Sequence, residues 1–221
     1  MDSARISAFL EPFLASPLSQ MQLQQISTYI DILLRWNARI NLTAIRNQEE
    51  IVTRHFGESL FLAHHIFPEV SAQAPRPVRV LDIGSGAGFP ALPLKIYSPQ
   101  IHLTMIESNH KKATFLREVA RALTLTDINV IAERAESLAA DPSFPKAEVV
   151  TFRAVENFDQ TLKQAAALLA PHGTMALLIG ARQLERLAQV SGLSWSIPVP
   201  IPSSDARVLS VGKMPISGAQ L

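Results

Sequence analysis

Residues 1 to about 70 follow a helical rhythm, and the rest of the chain does not. Over residues 21–36, Leu23, Ile26, Ile30, Leu33 and Leu34 recur at the spacing that lines one face of a helix. Asn47-Gln48-Glu49-Glu50 reads as a capping box, with Asn47 accepting from the backbone and Glu50 reaching back. A helix over 48–65 is predicted to follow. Ala74-Pro75-Arg76-Pro77 then breaks the pattern and divides the chain into an N-terminal helical extension, 1–74, and a core, 75–221.

Beyond that break, short β-branched runs alternate with helical ones. Residues 78–83, 101–106, 128–132, 149–152 and 175–179 read as buried strands, with helices clearest over 111–123 and 161–169. Such alternation requires crossover connections, so the predicted fold is α/β with a mainly parallel, doubly wound sheet. Ile197-Pro198-Val199-Pro200-Ile201-Pro202 lacks three backbone donors and is excluded as a central strand. Residues 206–211 are predicted as a last, antiparallel strand.

The candidate chemistry sits where the first strand ends, in Asp82-Ile83-Gly84-Ser85-Gly86-Ala87-Gly88-Phe89-Pro90. Glycines there allow a tight turn and a close approach by a ligand, at the end of the sheet where open α/β folds bind. Pro90 suits the first turn of the next helix, where a missing donor costs nothing. Two cofactors compete for such a loop. A dinucleotide fingerprint runs G-x-G-x-x-G and seats a pyrophosphate on the helix N-terminus. In this chain Phe89 breaks that pattern, the spacing is G-x-G-x-G, and Asp82 precedes it. A carboxylate is unfavourable beside pyrophosphate and favourable beside the ammonium and sulfonium of S-adenosylmethionine, which is the preferred reading. Glu107 ends the second strand, where a carboxylate can accept from both ribose hydroxyls. Ala132-Glu133-Arg134-Ala135-Glu136 either reads the adenine edge or only opens a helix into solvent.

Composition narrows the classes. A formal net charge of +1 is no basic excess of the kind that coats free nucleic acid, so an RNA substrate needs a local basic surface. The absence of cysteine excludes disulfides, thiolate nucleophiles and cysteine–zinc sites, and is compatible with a cytoplasmic location. No apolar run approaches the roughly 20 residues of a membrane span, and no secretory signal is visible. No metal site and no Ser/His/Asp constellation is expected. A monomer is the default.

Several linked stretches resemble one family, the bacterial small-subunit rRNA (guanine-N7)-methyltransferases known as RsmG or glucose-inhibited division protein B. Trp36-Asn37 with Asn41-Leu42-Thr43 resembles its W-N-x-x-x-N-L-T segment. Arg54-His55 with Glu58-Ser59 resembles R-H-x-x-D-S, and residues 82–93 resemble its cofactor loop. Lys111-Lys112-Ala113-Thr114-Phe115-Leu116, Arg134-Ala135-Glu136 and Arg153-Ala154 complete a set running from about residue 20 to 213. The resemblance implies a Rossmann-like class I S-adenosylmethionine methyltransferase that modifies N7 of one guanine in 16S rRNA near the decoding site. The partner would be the 30S subunit or an assembly precursor. By position, Gly84, Gly86, Gly88 and Phe89 would belong to the cofactor loop, Ala135 and Glu136 to the adenine side, and Arg153 to the catalytic end of the fourth strand.

Three positions depart from the family pattern. Ala91 stands for a glycine, Glu58 for an aspartate, and Ile179 for a frequent lysine whose place Arg182 could take. Guanine N7 carries a lone pair and no proton, so the chemistry needs alignment and exclusion of water rather than a general base. Arg153 is expected to donate to guanine O6 or to the cofactor carboxylate, the alternative being a plain ion pair with a strand-end acid. Arg54, His55, Lys111, Lys112 and Arg182 are candidate RNA contacts, with ordinary surface and helix roles as the alternative for each. Two other classes stay open on sequence alone: a methyltransferase acting on a small molecule or protein, and a binding module that has lost turnover.

Overall fold

The structure is a computed structural model that describes residues 1–67 and 77–215. The predicted break at 74–77 therefore lies outside the described residues except for Pro77. Helix α1 (Ser3–Leu10) is capped by Asp2, and α2 (Gln20–Asn37) opens with a Ser19–Gln22 capping box. The buried stripe of α2 includes Leu23, Ile26, Tyr29, Ile30, Ile32 and Leu33, whereas Leu34 stays half-buried beside it.

The helical run after Asn47 differs from the sequence expectation in two ways. Asn47 caps α3 (Gln48–Glu50) through the amides of Glu49 and Glu50, but Glu50 does not return the bond. Its carboxylate lies 3.6 Å from Arg54, one turn on, where a cation competes for it. Then Ile51–Gly57 winds as a π-helix before α4 (Glu58–Ile66) resumes. Its i→i+5 bonds wind more slowly than an α-helix, so the inward face shifts along the run. Gly57 makes this fit, since a Cβ there would stand 2.7 Å from the Phe13 ring.

Strands β1 (Arg79–Ile83), β2 (His102–Ile106), β3 (Ile128–Ile131), β4 (Ala147–Arg153) and β5 (Leu169–Gly180) pair in parallel. Strand β5 starts earlier than its apolar run indicates; the β4 register shifts between Ala147 and Val149 to absorb Pro171-His172-Gly173. Short β6 (Ser194–Trp195) and β7 (Val199–Pro200) pair antiparallel with β8 (Arg207–Lys213), which pairs antiparallel with β5. The order is β3-β2-β1-β4-β5-β8-β6. The proline segment thus contributes only two residues of edge pairing, as its missing donors require.

Both faces of the sheet are covered, which parallel strands need. On one face the N-terminal helices, α5 (Ala91–Tyr97) and α6 (His110–Ala122) share a single apolar cluster with the sheet, running from Ile6 through Tyr29 and Phe115 to Leu209. On the other, α7 (Ala135–Ala140) and α8 (Phe158–Leu168) bury Leu138 and Leu162 against Val150, Phe152 and Leu177. Ala91 is the first residue of α5 and fully buried, so its departure from glycine meets no backbone penalty. Among the described residues, no helix is long and apolar enough to cross a membrane.

Candidate active site

Strand order reverses between β1 and β4, and the crevice outside the carboxyl ends of strands at such a point is where this architecture binds ligands. A cavity of about 740 Å³ opens there, within the size range of small-molecule sites. The glycine loop forms its floor, Glu107–Asn109 and Glu133–Glu136 one side, Arg153–Asn157 with Gln160 of α8 another, and Leu42–Ala44 with His55 the last.

The loop spends its own amides. Gly84 and Ser85 donate to the Ile106 carbonyl at 2.8 and 3.1 Å, and Gly88 donates to Ser85 at 2.6 Å. The Gly86 amide donates to Glu107 Oε2 at 2.8 Å, and Glu107 Oε1 accepts from the Asn109 amide at 2.8 Å. A pyrophosphate seat needs these amides free. Here they are satisfied, one of them by a carboxylate, which fits a phosphate-free, cationic ligand. Glu107 keeps lone pairs beyond the two it uses, so it can still accept from a ligand hydroxyl.

Asp82 lies beneath the loop rather than in the cavity wall. It is buried, its Oδ1 accepts from Thr151 Oγ1 at 2.7 Å, and among the described residues its Oδ2 has no hydrogen-bond partner. Burial lifts its carboxyl to about 7, with Glu107 adding to the rise and the nearby Ser85 and Thr151 hydroxyls opposing it. Gly88 also supports from below. At φ +84 it faces Tyr29 Oη and Leu92, while Tyr29 Oη donates to the Ala87 carbonyl at 2.5 Å. Phe89 is layered between Tyr29 and His55, with ring centroids 5.3 and 4.6 Å away.

His55 therefore closes the cavity from the π-helix. Its Nε2 shares a hydrogen bond of 2.8 Å with Thr43 Oγ1, and Nδ1 is buried without a hydrogen-bond partner among the described residues. Burial above all, and then the nearby Arg153, lower its pKa to about 3, so the ring is neutral at physiological pH. Asn37 shapes the adjoining wall by accepting from the amides of Leu42 and Thr43. Leu42, Thr43 and Ala44 were not singled out from sequence; their sole signal was the family-like Asn-Leu-Thr run.

Arg153 ends β4 at the cavity, with its side chain 11 % exposed. It is paired, but with a helix acid rather than a strand-end one: Nη2 stands 3.2 Å from Glu58 Oε2. Arg207 of β8 lies on the other oxygen at 2.5 Å. These are ion pairs by distance whose angles fall outside hydrogen-bond geometry. Burial raises the Glu58 pKa, while the arginines oppose that rise.

The other candidates divide. Ala135, Glu136 and the half-buried Lys112 line the cavity, and Glu136 accepts from Gln160 at 2.5 Å. Lys111 and Arg182 are exposed outside it, and Arg54 points outward to Glu50. Ile179 is buried in the apolar cluster under α8, which accounts for an uncharged side chain there. Trp36 packs edge-on to Phe115, and His65 Nδ1 bonds to the Phe61 carbonyl, both structural roles.

Sheet order, glycine loop and the carboxylate ending β2 together define a class I S-adenosylmethionine methyltransferase fold. Solved structures of that kind superpose on it: ribosomal protein L11 methylase from Lactobacillus delbrueckii subsp. bulgaricus at TM-score 0.56 and 18% identity, covering 72% of this chain and 80% of that one. A SAM dependent methyltransferase from Aquifex aeolicus gives 0.53 and 12%, covering 69% and 89%. The family described as rRNA small subunit methyltransferase G matches residues 22–194. A relative named ribosomal RNA small subunit methyltransferase G from Roseiflexus castenholzii is 39% identical over 203 residues, 88% of this chain and 84% of its own. One of the same name from Chromobacterium violaceum is 33% identical over 197 residues, 88% and 89%. The chain belongs to this family of rRNA methyltransferases.

Proposed function

We propose that the protein transfers a methyl group from S-adenosylmethionine to N7 of a specific guanine in 16S rRNA near the decoding site. The observation that carries this reading is the cavity itself, lined both by Glu107, which holds the glycine loop, and by an arginine, Arg153. Its setting is the cytoplasm, its partner a 30S subunit or an assembly precursor, and the chain acts as a monomer. Residues 1–74 serve as a helical extension that walls the acceptor side, and 75–221 as the cofactor-binding core.

When bound, the cofactor supplies an electrophilic methyl group on a sulfonium. Glu107 accepts from the ribose hydroxyls, Gly84, Gly86 and Phe89 shape the floor, and Ala135 with Glu136 flank the adenine. Asp82 and Gly88 hold the loop from below. His55 is neutral and takes no proton, which suits an acceptor that has none to lose. Arg153 donates to guanine O6 or to the cofactor carboxylate; a clamp on both O6 and N7 is excluded because N7 must stay free. Lys112 at the rim, with Lys111, Arg54 and Arg182 outside it, meets RNA phosphates, so affinity falls with salt.

Labelled methyl transfer to 30S subunits from a strain lacking the gene, followed by mapping, tests the whole reading. Label at N7 of one guanine is expected; no label despite tight cofactor binding removes the substrate assignment. In Arg153→Ala, lost turnover with cofactor affinity retained assigns the side chain to guanine. Lost affinity assigns it to the cofactor, and near-normal turnover removes both roles.

A further inference from the structure

We infer that Glu58 is the positioning residue for Arg153, a buried carboxylate shared by two guanidiniums that sets the arginine at the cavity before any ligand arrives. The inference rests on the proposed role of Arg153. Arg153 and Arg207 come from β4 and β8, the two strands that flank β5. Arg153 is in register with Leu178, and Arg207 with Gly180, two residues further along the same strand. Period-two alternation therefore sends both guanidiniums to one face. That face is the one Leu178 shares with the N-terminal helices. Glu58, only 2 % exposed, descends from α4 onto it and spans the middle strand, one oxygen to each arginine.

The charge balance separates positioning from simple neutralisation. Two guanidiniums on one carboxylate leave an excess positive charge at the cavity wall, and the neutral His55 ring beside it adds none. Among the described residues, Arg153 Nη1 is buried with no hydrogen-bond partner. A buried donor left unpaired is a cost to the fold. A side chain placed only for stability would be turned to satisfy it, whereas one held for a ligand's acceptor keeps it unspent. Arginine also has a long side chain with many rotamers, and the shared carboxylate removes that freedom in advance of binding.

The local winding puts Glu58 there. The π-helix ends at Gly57, immediately before Glu58, and wide turns of this kind gather at functional sites. His55 and Glu58 both face inward, while Arg54, the residue before His55, points out to Glu50.

A double-mutant cycle on turnover tests the inference. At saturating cofactor and RNA, Glu58→Gln should lower kcat by about 30-fold in the native background, less than the roughly 100- to 1,000-fold that outright loss of an aligned donor costs. In an Arg153→Lys background it should cost less than about threefold, because a residue acting through Arg153 has nothing left to position. Glu58→Asp, which keeps the charge, should restore turnover to within about fivefold. Calorimetric cofactor binding and thermal unfolding confirm that each variant is folded. Should Glu58→Gln not fold, Glu58→Gln/Arg207→Gln, which removes one charge of each sign, takes its place in the cycle. Equal losses in both backgrounds, or full turnover in Glu58→Gln while Arg153→Lys is impaired, would overturn the inference alone. Near-normal turnover in Arg153→Lys would instead remove the Arg153 role on which it rests.

Discussion

Asp82 and His55 lie on opposite sides of the glycine loop and respond to pH in opposite senses. Asp82 keeps its proton in the folded protein up to about 7, against an ordinary 3.8. The folded state thus binds more protons than the unfolded chain between those values, and stability falls as pH rises through them, by up to about 4 kcal/mol. His55, lowered from 6.5 to about 3, does the reverse: the unfolded chain takes the proton first, and stability falls as pH drops below 6.5. Between 3.8 and 6.5 the two trends oppose one another. Asp82→Asn can keep the Thr151 bond and lacks the titration. Relative to the native protein it should gain about 3 kcal/mol in urea unfolding between pH 4 and pH 8, and its acid sensitivity should steepen. An unchanged difference across that range would show that Asp82 is ionised in the fold. The position of Asp82 was legible in the sequence, but its orientation was not. A strand residue's neighbours on the sheet, here Thr151, are set by pairing across 69 positions of chain.

At the level of elements, alternating strands and helices were readable because burial imposes its period directly on residue type. The π-helix was not. Its residues, Ile51 to Gly57, have the apolar content of an ordinary helix, and the wider winding answers to Phe13, which lies far back in the chain. Glu58 and Arg207 were invisible as a pair with Arg153 for the same reason, whereas Glu107 could be placed because its chemistry follows from ending a strand. The loop glycines also differ in what they do. A Cβ added at Gly86 would meet only the Gly84 carbonyl, at 3.7 Å. One added at Gly88 would run into Tyr29 Oη, and into Leu92 Cδ1 at 2.7 Å. Gly86→Ala should therefore cost about 1–2 kcal/mol of left-handed strain. Gly88→Ala should cost about 3 kcal/mol or more, because overpacking is added and the Tyr29 bond to Ala87 is pushed aside. Urea midpoints of the two variants distinguish these costs, and equal midpoints would contradict the packing role of Gly88.

Over the whole molecule, the apolar cluster that begins at Ile6 does not stop where the helical extension meets the sheet. Tyr29 and Phe89 stack with Phe56 edge-on to both, and Leu92 and Phe115 are buried in the same cluster. A chain beginning at Val78 would present that surface to water, far more than the few hundred Å² a soluble monomer tolerates. It should be insoluble or lack a cooperative unfolding transition, and near-UV circular dichroism would report the loss. A folded, soluble fragment would establish the core as autonomous. Sequence periodicity predicted the extension to be helical; it carried no sign that Leu42, Thr43, Ala44 and His55 of that segment line the cavity.

The two outer margins of the sheet have a further consequence. On one side β3 is four residues long, and Arg117 Nη2 donates to its Val130 carbonyl at 2.7 Å. On the other, β8 meets only two-residue partners, one of them ending in Pro200. Among the described residues, neither margin offers the long row of vacant donors and acceptors that would template a foreign strand. Accumulation of the free protein then has no ready route through these margins to strand exchange and fibrils.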